Sequence, residues 1–234
     1  MRYLIKFTKE SEIKFISHLD LMRTIQRIVR RAELPVEYSK GFNPHMSISI
    51  AQPLSVGMYS KGEYMDLVLT EELEEDSIKK RLNANVPSGI RFIEVVKIIN
   101  VEGEKKLPQA MALIEAAEYN INIKYDDLKN LMKQVEDLKN KDQWNTIKRS
   151  KNGDKEVDIK PLIKSFRYNE TSRGLNLRVI LACGSKENLS ADLLASFIKN
   201  NTDNFKAETF VDIEREEMFV IKNNKFIPLF KCIE

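Results

Sequence analysis

The chain has 234 residues, 42% of them hydrophobic and 31% charged, and its 38 basic and 35 acidic residues give a formal net charge of +3. This composition provides enough apolar side chains for a core and excludes a disordered chain. A charge this close to neutral does not predict nucleic-acid binding by itself, so a binding surface has to come from a local patch.

The length fits one large domain or two small ones. The only two cysteines, Cys183 and Cys232, lie far apart in sequence. They are too few to hold a structural zinc ion or an iron–sulfur cluster within this chain. They form either a disulfide or, as we favour, two reduced and buried thiols of a cytoplasmic protein. No apolar run reaches the roughly 18 residues of a membrane-spanning helix, so we expect no membrane partner. We also expect no cofactor.

The first hundred residues predict strands alternating with two helices. Alternating apolar and polar residues predict strands, the 3.6-residue period predicts helices, and Pro35 ends the first helix. In chain order we predict a strand over 2–8, an extension or partner of it over 14–16, a helix over 18–33, extended pieces over 36–39 and 46–51, a strand over 63–70, a helix over 71–83 and a strand over 91–99. This β-α-β-β-α-β order is the ferredoxin-like plan.

The second half repeats the plan. The polar residues 101–109 predict a boundary between domains 1–100 and 110–234. After it we predict a strand over 118–124, a helix over 126–138, a hairpin over 144–160 turned at Asn152-Gly153, a strand over 175–183, a helix over 190–200, a strand over 207–214 and a hairpin over 219–230 turned at Asn223-Asn224. The predicted fold is α+β, with two ferredoxin-like (βαββαβ) halves in tandem and antiparallel sheets that carry helices on one face.

The first predicted helix has two different faces. Ser17 and Asp20 have the Ser-x-x-Asp form of a helix start, in which the hydroxyl caps the first turn. One side is apolar and belongs to the core, through Leu21, Ile25, Ile28, Val29 and Ala32. The opposite side carries Arg23, Arg27, Arg30 and Arg31, with Asp20 beside them. These arginines form either a solvated face or a phosphate-binding face, which guanidinium groups suit because they bind phosphate bidentately.

The loop SKGFNPH, residues 39–45, has the composition of a site. Gly41 permits a positive φ or the close approach of a ligand, and Asn43-Pro44 starts a turn. Phe42 lies between Lys40 and His45, which suits a cradle for a ring and a phosphate, unless Phe42 folds down as a plug. We predict a substrate-binding set made of Asp20, Arg23, Arg27, Arg30, Arg31, Tyr38, Lys40, Gly41, Phe42, Asn43 and His45.

The two histidines are the candidates for catalysis. His18 is at the first position of the helix, where the dipole disfavours an imidazolium. If the fold is ferredoxin-like, the loop lies near the start of this helix and brings His45 toward His18. Such a pair can serve in acid–base chemistry or, with Asp20, hold a metal. Two histidines are too few ligands to predict a metal site, and we expect none.

Two further segments are candidates for binding. Residues 54–64 form either another wall of the same site or a flexible connection. The predicted hairpin of the second half is basic, which suits either docking on nucleic acid or a solvated surface. Its residues of interest are Trp144, Lys148, Arg149, Lys151 and Lys155. The chain has no nucleophile elbow, Walker loop, dinucleotide fingerprint or HExxH motif.

Residues 15–66 have a pattern that no general folding rule demands: FISHLD, RRAELP, YSKGFNPH and PLSVG follow one another. This pattern resembles the start of the bacterial radical-SAM-linked protein family, whose members are encoded beside, or fused to, a radical SAM protein. The resemblance implies a radical SAM protein as partner and supplies no catalytic residues. The chain lacks the closely spaced three-cysteine set of a radical SAM cluster, so it would be the accessory part.

Three functions are compatible with these features. The first is a binding module that holds RNA or a phosphorylated substrate for the radical SAM enzyme, through a basic N-terminal cleft; its link to RNA is a fold-level analogy. The second is a pure interaction subunit that docks the radical SAM protein. The third is a metal-independent, endoribonuclease-like enzyme that uses His18 or His45 and has no identifiable third group. We favour the first function and therefore a role that is not enzymatic.

Overall fold

The computed structural model describes residues 1–99, 103, 106–148 and 153–233. The chain is α+β, with mostly antiparallel strands and few helices. The strands are β1 (Arg2–Lys9), β2 (Ile48–Ile50), β3 (Tyr59–Val68), β4 (Phe92–Ile98), β5 (Ala116–Lys124), β6 (Asn145–Lys148), β7 (Lys155–Asp158), β8 (Ile163–Thr171), β9 (Gly174–Ala182), β10 (Asp212–Lys222) and β11 (Lys225–Pro228). The helices are α1 (His18–Arg31), α2 (Glu75–Asn83), α3 (Ala110–Leu113), α4 (Leu131–Lys139) and α5 (Ala191–Asn200).

The chain divides into two compact units. The first unit contains residues 1–115 and 217–234, and the second contains residues 116–216. The last residues of the chain group with the first unit because β10 leads into it and forms a hairpin there with β11. The predicted domains, 1–100 and 110–234, stay a prediction.

The sheet of the first unit has its strands in the order β4-β1-β3-β2, and every pairing in it is antiparallel. Tyr3, Ile5 and Phe7 alternate along β1 on one face, which is buried. They share one core with the apolar residues of α1 and α2. The apolar face predicted for the first helix is therefore confirmed: Leu21, Ile25, Ile28, Val29 and Ala32 are all buried.

A buried polar network joins the C-terminal segment to the rest of the first unit. The Lys6 Nζ lies 2.6 Å from one carboxylate oxygen of Glu217, and the Tyr64 hydroxyl donates to the other at 2.7 Å. Burial, followed by the charge of Glu217, raises the pKa of the Tyr64 hydroxyl far above its usual value. The phenol therefore stays protonated and acts as a donor.

In the second unit, β9 pairs antiparallel with β5 on one side and with β8 on the other. The strands β6 and β7 form a separate two-stranded ribbon. Trp144 anchors this ribbon: its indole N–H donates to the Leu138 carbonyl at 2.9 Å, and its ring stacks on Phe197 at a centroid distance of 5.1 Å. The predicted hairpin is confirmed, but Asn152 of its predicted turn lies outside the described residues.

Several predicted elements differ from the structure. The strand β8 was not predicted, and residues 14–16 do not form a strand. The helix α4 begins only at Leu131, since Asn130 before it has a left-handed backbone with φ of 63°. The helix α2 begins at Glu75 instead of residue 71, and β10 begins at Asp212 instead of residue 207. None of the helices in the described part of the chain is both long and apolar enough to cross a membrane.

Candidate functional site

The start of α1 is held by the predicted cap. Ser17 has an extended backbone, and its hydroxyl oxygen accepts a hydrogen bond from the Asp20 N–H at 3.2 Å. The same hydroxyl donates to the Asp20 carboxylate at 2.7 Å, and the other carboxylate oxygen accepts from Arg23 at 3.1 Å. These two bonds, that from Ser17 first, lower the pKa of the Asp20 carboxyl. Asp20 and Arg23 are therefore engaged with each other as well as facing solvent.

The four arginines of α1 are all exposed. Arg23 pairs with Asp20. Among the residues that the structure describes, no hydrogen bond or ion pair engages the side chains of Arg27, Arg30 and Arg31. Arg27 and Arg31 are four residues apart on one helix, a spacing at which like charges repel each other. The three free guanidinium groups therefore form a concentrated positive face at the C-terminal half of α1, and we call it the arginine face.

The C-terminal end of α1 is fixed by an arginine from α2. The Arg81 guanidinium donates to the carbonyl of Ala32 at 2.8 Å and also to that of Glu33. Glu33 has a φ of 52°, the left-handed conformation that ends many helices. Arg81 thus satisfies carbonyl groups that follow the helix, and its role is structural.

The loop 39–45 is a closed arm that follows α1 by a few residues. Tyr38 and Met46 form an isolated antiparallel bridge at its base. Above that base, the Ser39 N–H donates to the His45 carbonyl at 2.8 Å and the His45 N–H donates to the Ser39 hydroxyl at 3.0 Å. The arm is rooted at the end of β3, because the Glu37 N–H donates to the Val68 carbonyl at 2.8 Å.

The tip of this arm presents its side chains to solvent. Phe42 has a relative exposure of 109%, so its ring does not fold down as a plug. Gly41 has a φ of 139°, and a Cβ placed there would find no atom within 4 Å. Lys40, Asn43 and His45 are exposed as well. An aromatic ring and a cation are therefore exposed to solvent on a loop whose two ends are held together by hydrogen bonds.

The two histidines, His18 in α1 and His45 in the loop 39–45, make no hydrogen bond to each other among the described residues. His18 is half-buried at the start of α1 and His45 is exposed, and among the described residues no hydrogen bond engages either imidazole ring. The described part of the chain holds no group of three His, Cys, Asp or Glu residues arranged for a metal ion. No observation supports the acid–base pair.

Exposed apolar residues that sequence reasoning did not single out lie just before α1, in its first turn and between β2 and β3. Phe15, Leu19 and Val56 are 59%, 64% and 58% exposed. The Gly57 N–H donates to the Lys14 carbonyl at 2.8 Å, so the predicted wall over residues 54–64 does contact the segment that precedes α1. Leu19 lies off the apolar stripe of the helix, which is the signal that could have marked it.

The basic hairpin and a cavity beside α2 are two further candidates for a binding site. On the basic hairpin, Trp144 is buried, Lys148 donates to the Asn188 carbonyl at 3.3 Å, and Arg149 and Lys151 lie outside the described residues. A cavity of about 860 Å³ lies between the end of α2 and the start of β4. Its Asn83 side chain is occupied, since it bonds to the backbone N–H and carbonyl of Phe92 at 2.9 and 2.8 Å. Of the predicted residues on the hairpin, Lys155 is exposed, and none of the predicted substrate-binding residues lies in either place.

Comparison with known proteins identifies the family. The model of a family described as "Uncharacterized protein conserved in bacteria (DUF2344)" matches residues 2–191, which is most of the chain. The chain belongs to this family. The match includes α1, the loop 39–45 and therefore every predicted binding residue of the DUF2344 protein. The family description prints neither a reaction nor a partner.

The remaining comparisons add no functional information. No curated protein matches the chain. A crystal structure of an unknown protein from Galdieria sulphuraria is matched over 94% of this chain and 98% of that one, at 12% sequence identity and a TM-score of 0.26. A similarity this low supports no argument about the site.

Proposed function

We propose that this protein binds RNA or a phosphorylated substrate through the arginine face and the loop 39–45. The observation that carries the proposal is that Arg27, Arg30 and Arg31 are exposed and make no hydrogen bond or ion pair with the described residues. Arg30 and Arg31 lie in the last turn of α1, where the helix dipole favours cations, whereas Arg27 and Arg31 repel each other across one turn. A bound polyanion would remove this repulsion, and guanidinium groups form bidentate hydrogen bonds with phosphate.

The fold supports the RNA reading by analogy. The first unit has a β-α-β-β-α-β element order with strands in the order β4-β1-β3-β2, which supports a ferredoxin-like half. The second unit contains β5, α4, β8, β9, α5 and the start of β10, which supports a second such half. Sheets of this kind occur in RNA-binding proteins, and this part of the proposal rests on fold-level analogy.

We propose a radical SAM enzyme as the partner that uses the bound substrate. This step rests on the motif resemblance of residues 15–66 and on the cysteine count, since a chain with two cysteines cannot hold the cluster itself. Cys183 and Cys232 form no disulfide in the described part of the chain, and we propose that the protein lies in the cytoplasm, where thiols stay reduced. Capture of a radical SAM protein on the tagged chain in cells tests the partnership.

Charge reversal tests the binding role. We expect Arg27→Glu with Arg30→Glu to abolish binding of a fluorescent RNA, measured by anisotropy, because two phosphate contacts become repulsive. The matched control is Lys80→Glu with Lys225→Glu, which changes the net charge equally at two exposed positions outside the arginine face. Equal loss of affinity in both double variants would show that only the overall charge matters and would refute the proposed site.

A further inference from the structure

Phe42 has an exposure that folding does not explain. It is the most exposed of the large hydrophobic residues in the described part of the chain, ahead of Phe210 at 83%. An exposed phenyl ring contributes no buried area to the folded state. The arm beneath it is nevertheless closed by two hydrogen bonds between Ser39 and His45, so the ring is presented on an ordered support.

The arginines of α1 are spread over a length that suits a repeated anion. The arginine face, from Arg27 to Arg31, covers a rise of about 6 Å, since each residue adds about 1.5 Å. Arg23, which also pairs with Asp20, extends the row to about 12 Å. One or two guanidinium groups are enough to bind a single phosphate bidentately. A phosphorylated peptide would leave part of this row unused, whereas a chain of phosphates would engage its whole length.

We infer that the ligand is a single-stranded polynucleotide, one of whose unpaired bases stacks on Phe42 while its phosphates lie along α1. This inference rests on the proposed function and names the ligand class of the same site. A flat ring is a sequence-tolerant platform for any base. Lys40, two residues before it, and the arginine face of α1 are cations that attract the backbone. In a duplex the faces of the bases are already stacked on one another, so the Phe42 ring has nothing to stack on.

The test uses the full chain and labelled strands of roughly 12 nucleotides, within the usual range of single-strand sites. The probes are a single-stranded RNA, a DNA of the same sequence, the corresponding duplex and an abasic strand of equal charge. Phe42→Leu keeps an apolar side chain and removes the ring, and Phe210→Leu is the control at another exposed phenylalanine. Both rings are exposed, and urea unfolding of each variant checks that the change leaves the fold intact.

We expect Phe42→Leu to weaken single-strand binding by roughly 5- to 150-fold, the range for loss of one base–aromatic stack, and to leave abasic binding unchanged. Phe42→Trp should bind the single strand like the wild type. Its tryptophan emission, compared with the emission of Trp144 in the wild type, should be quenched by the base-bearing strand and not by the abasic strand. Tighter binding of RNA than of DNA would identify the natural strand as RNA. The inference is overturned if Phe42→Leu binds the single strand as tightly as the wild type, or if it weakens binding of the abasic strand by the same factor. It is also overturned if a duplex or a phosphopeptide displaces the labelled strand as effectively as the unlabelled single strand does. If Arg27→Glu with Arg30→Glu binds RNA as tightly as the wild type, the proposed function is refuted, whatever the Phe42 variants do.

Discussion

At the scale of single residues, Asp20 shows how a side chain can serve the fold and the site together. Its carboxylate accepts from the Ser17 hydroxyl, which completes the helix cap, and from Arg23 at the edge of the arginine row. The sequence predicted both roles from the Ser-x-x-Asp spacing and the helical wheel. The freedom of Arg27, Arg30 and Arg31 could not be predicted, because a partner from elsewhere in the fold would not appear in a local pattern.

The pKa of Asp20 gives a testable pH dependence. Its pKa is lowered from 3.8, with the Ser17 hydroxyl as the first cause. A carboxyl with a lowered folded-state pKa stabilises the protein above the unfolded pKa, and this stability is lost as the pH falls through the folded value. We expect Ser17→Ala to move the Asp20 pKa back toward 3.8, as followed by NMR titration of the carboxyl carbon. An unchanged titration curve would show that the hydroxyl does not hold the carboxylate.

At the scale of elements, α1 packs into the core with one face and exposes its arginines on the other. Ile25 is fully buried in the core, whereas Arg27 is exposed two positions later. The period of 3.6 residues was sufficient to predict this division, because each face depends only on the sequence of the helix itself.

This division predicts opposite effects of two alanine substitutions. Ile25→Ala should lower the free energy of unfolding by about 2–5 kcal/mol, because it leaves a cavity in the core. Arg27→Ala should change it by no more than about 0.5 kcal/mol and still weaken RNA binding. Urea unfolding followed by circular dichroism measures both changes. Destabilisation by Arg27→Ala comparable to that by Ile25→Ala would mean that the arginine serves the fold.

Elements that depend on distant partners were harder to predict. The strand β8 has a mostly polar, partly exposed sequence, IKSFRYNET, and it becomes a strand by pairing with β9 over most of its length. The prediction that the loop 39–45 is a binding site stays a prediction, and the sequence left the exposure of Phe42 open between a cradle and a plug. Packing decides such questions, and one sequence does not display it.

At the scale of the whole molecule, the C-terminal residues complete the first unit. Glu217 is about two hundred residues from Lys6 in sequence and forms an ion pair with it, with 13% of each side chain exposed. The sequence predicted the turn of the final hairpin at Asn223-Asn224, where both residues have positive φ values of 50° and 59°. It did not predict the return of this hairpin to the first unit, since no local pattern specifies long-range pairing.

Removal of the Glu217 carboxylate should therefore destabilise the first unit. We expect Glu217→Ala to reduce the free energy of unfolding by about 1–3 kcal/mol, because the partly buried Lys6 ammonium and Tyr64 hydroxyl both lose their hydrogen-bond acceptor. The control is Glu208→Ala, at an exposed glutamate. Chemical unfolding measures both variants, and equal stability of the two proteins would show that the buried network is dispensable.

The salt dependence of RNA affinity is the most direct test of the central claim that the arginine face binds a phosphate backbone. Each phosphate contact on a single strand contributes a slope of about −0.7 to the plot of log affinity against log salt concentration. Neutralising Arg27, Arg30 and Arg31 together, each to Gln, should therefore make the wild-type slope less negative by about 2. An unchanged slope in the triple variant, or wild-type binding that does not depend on salt, would contradict the account.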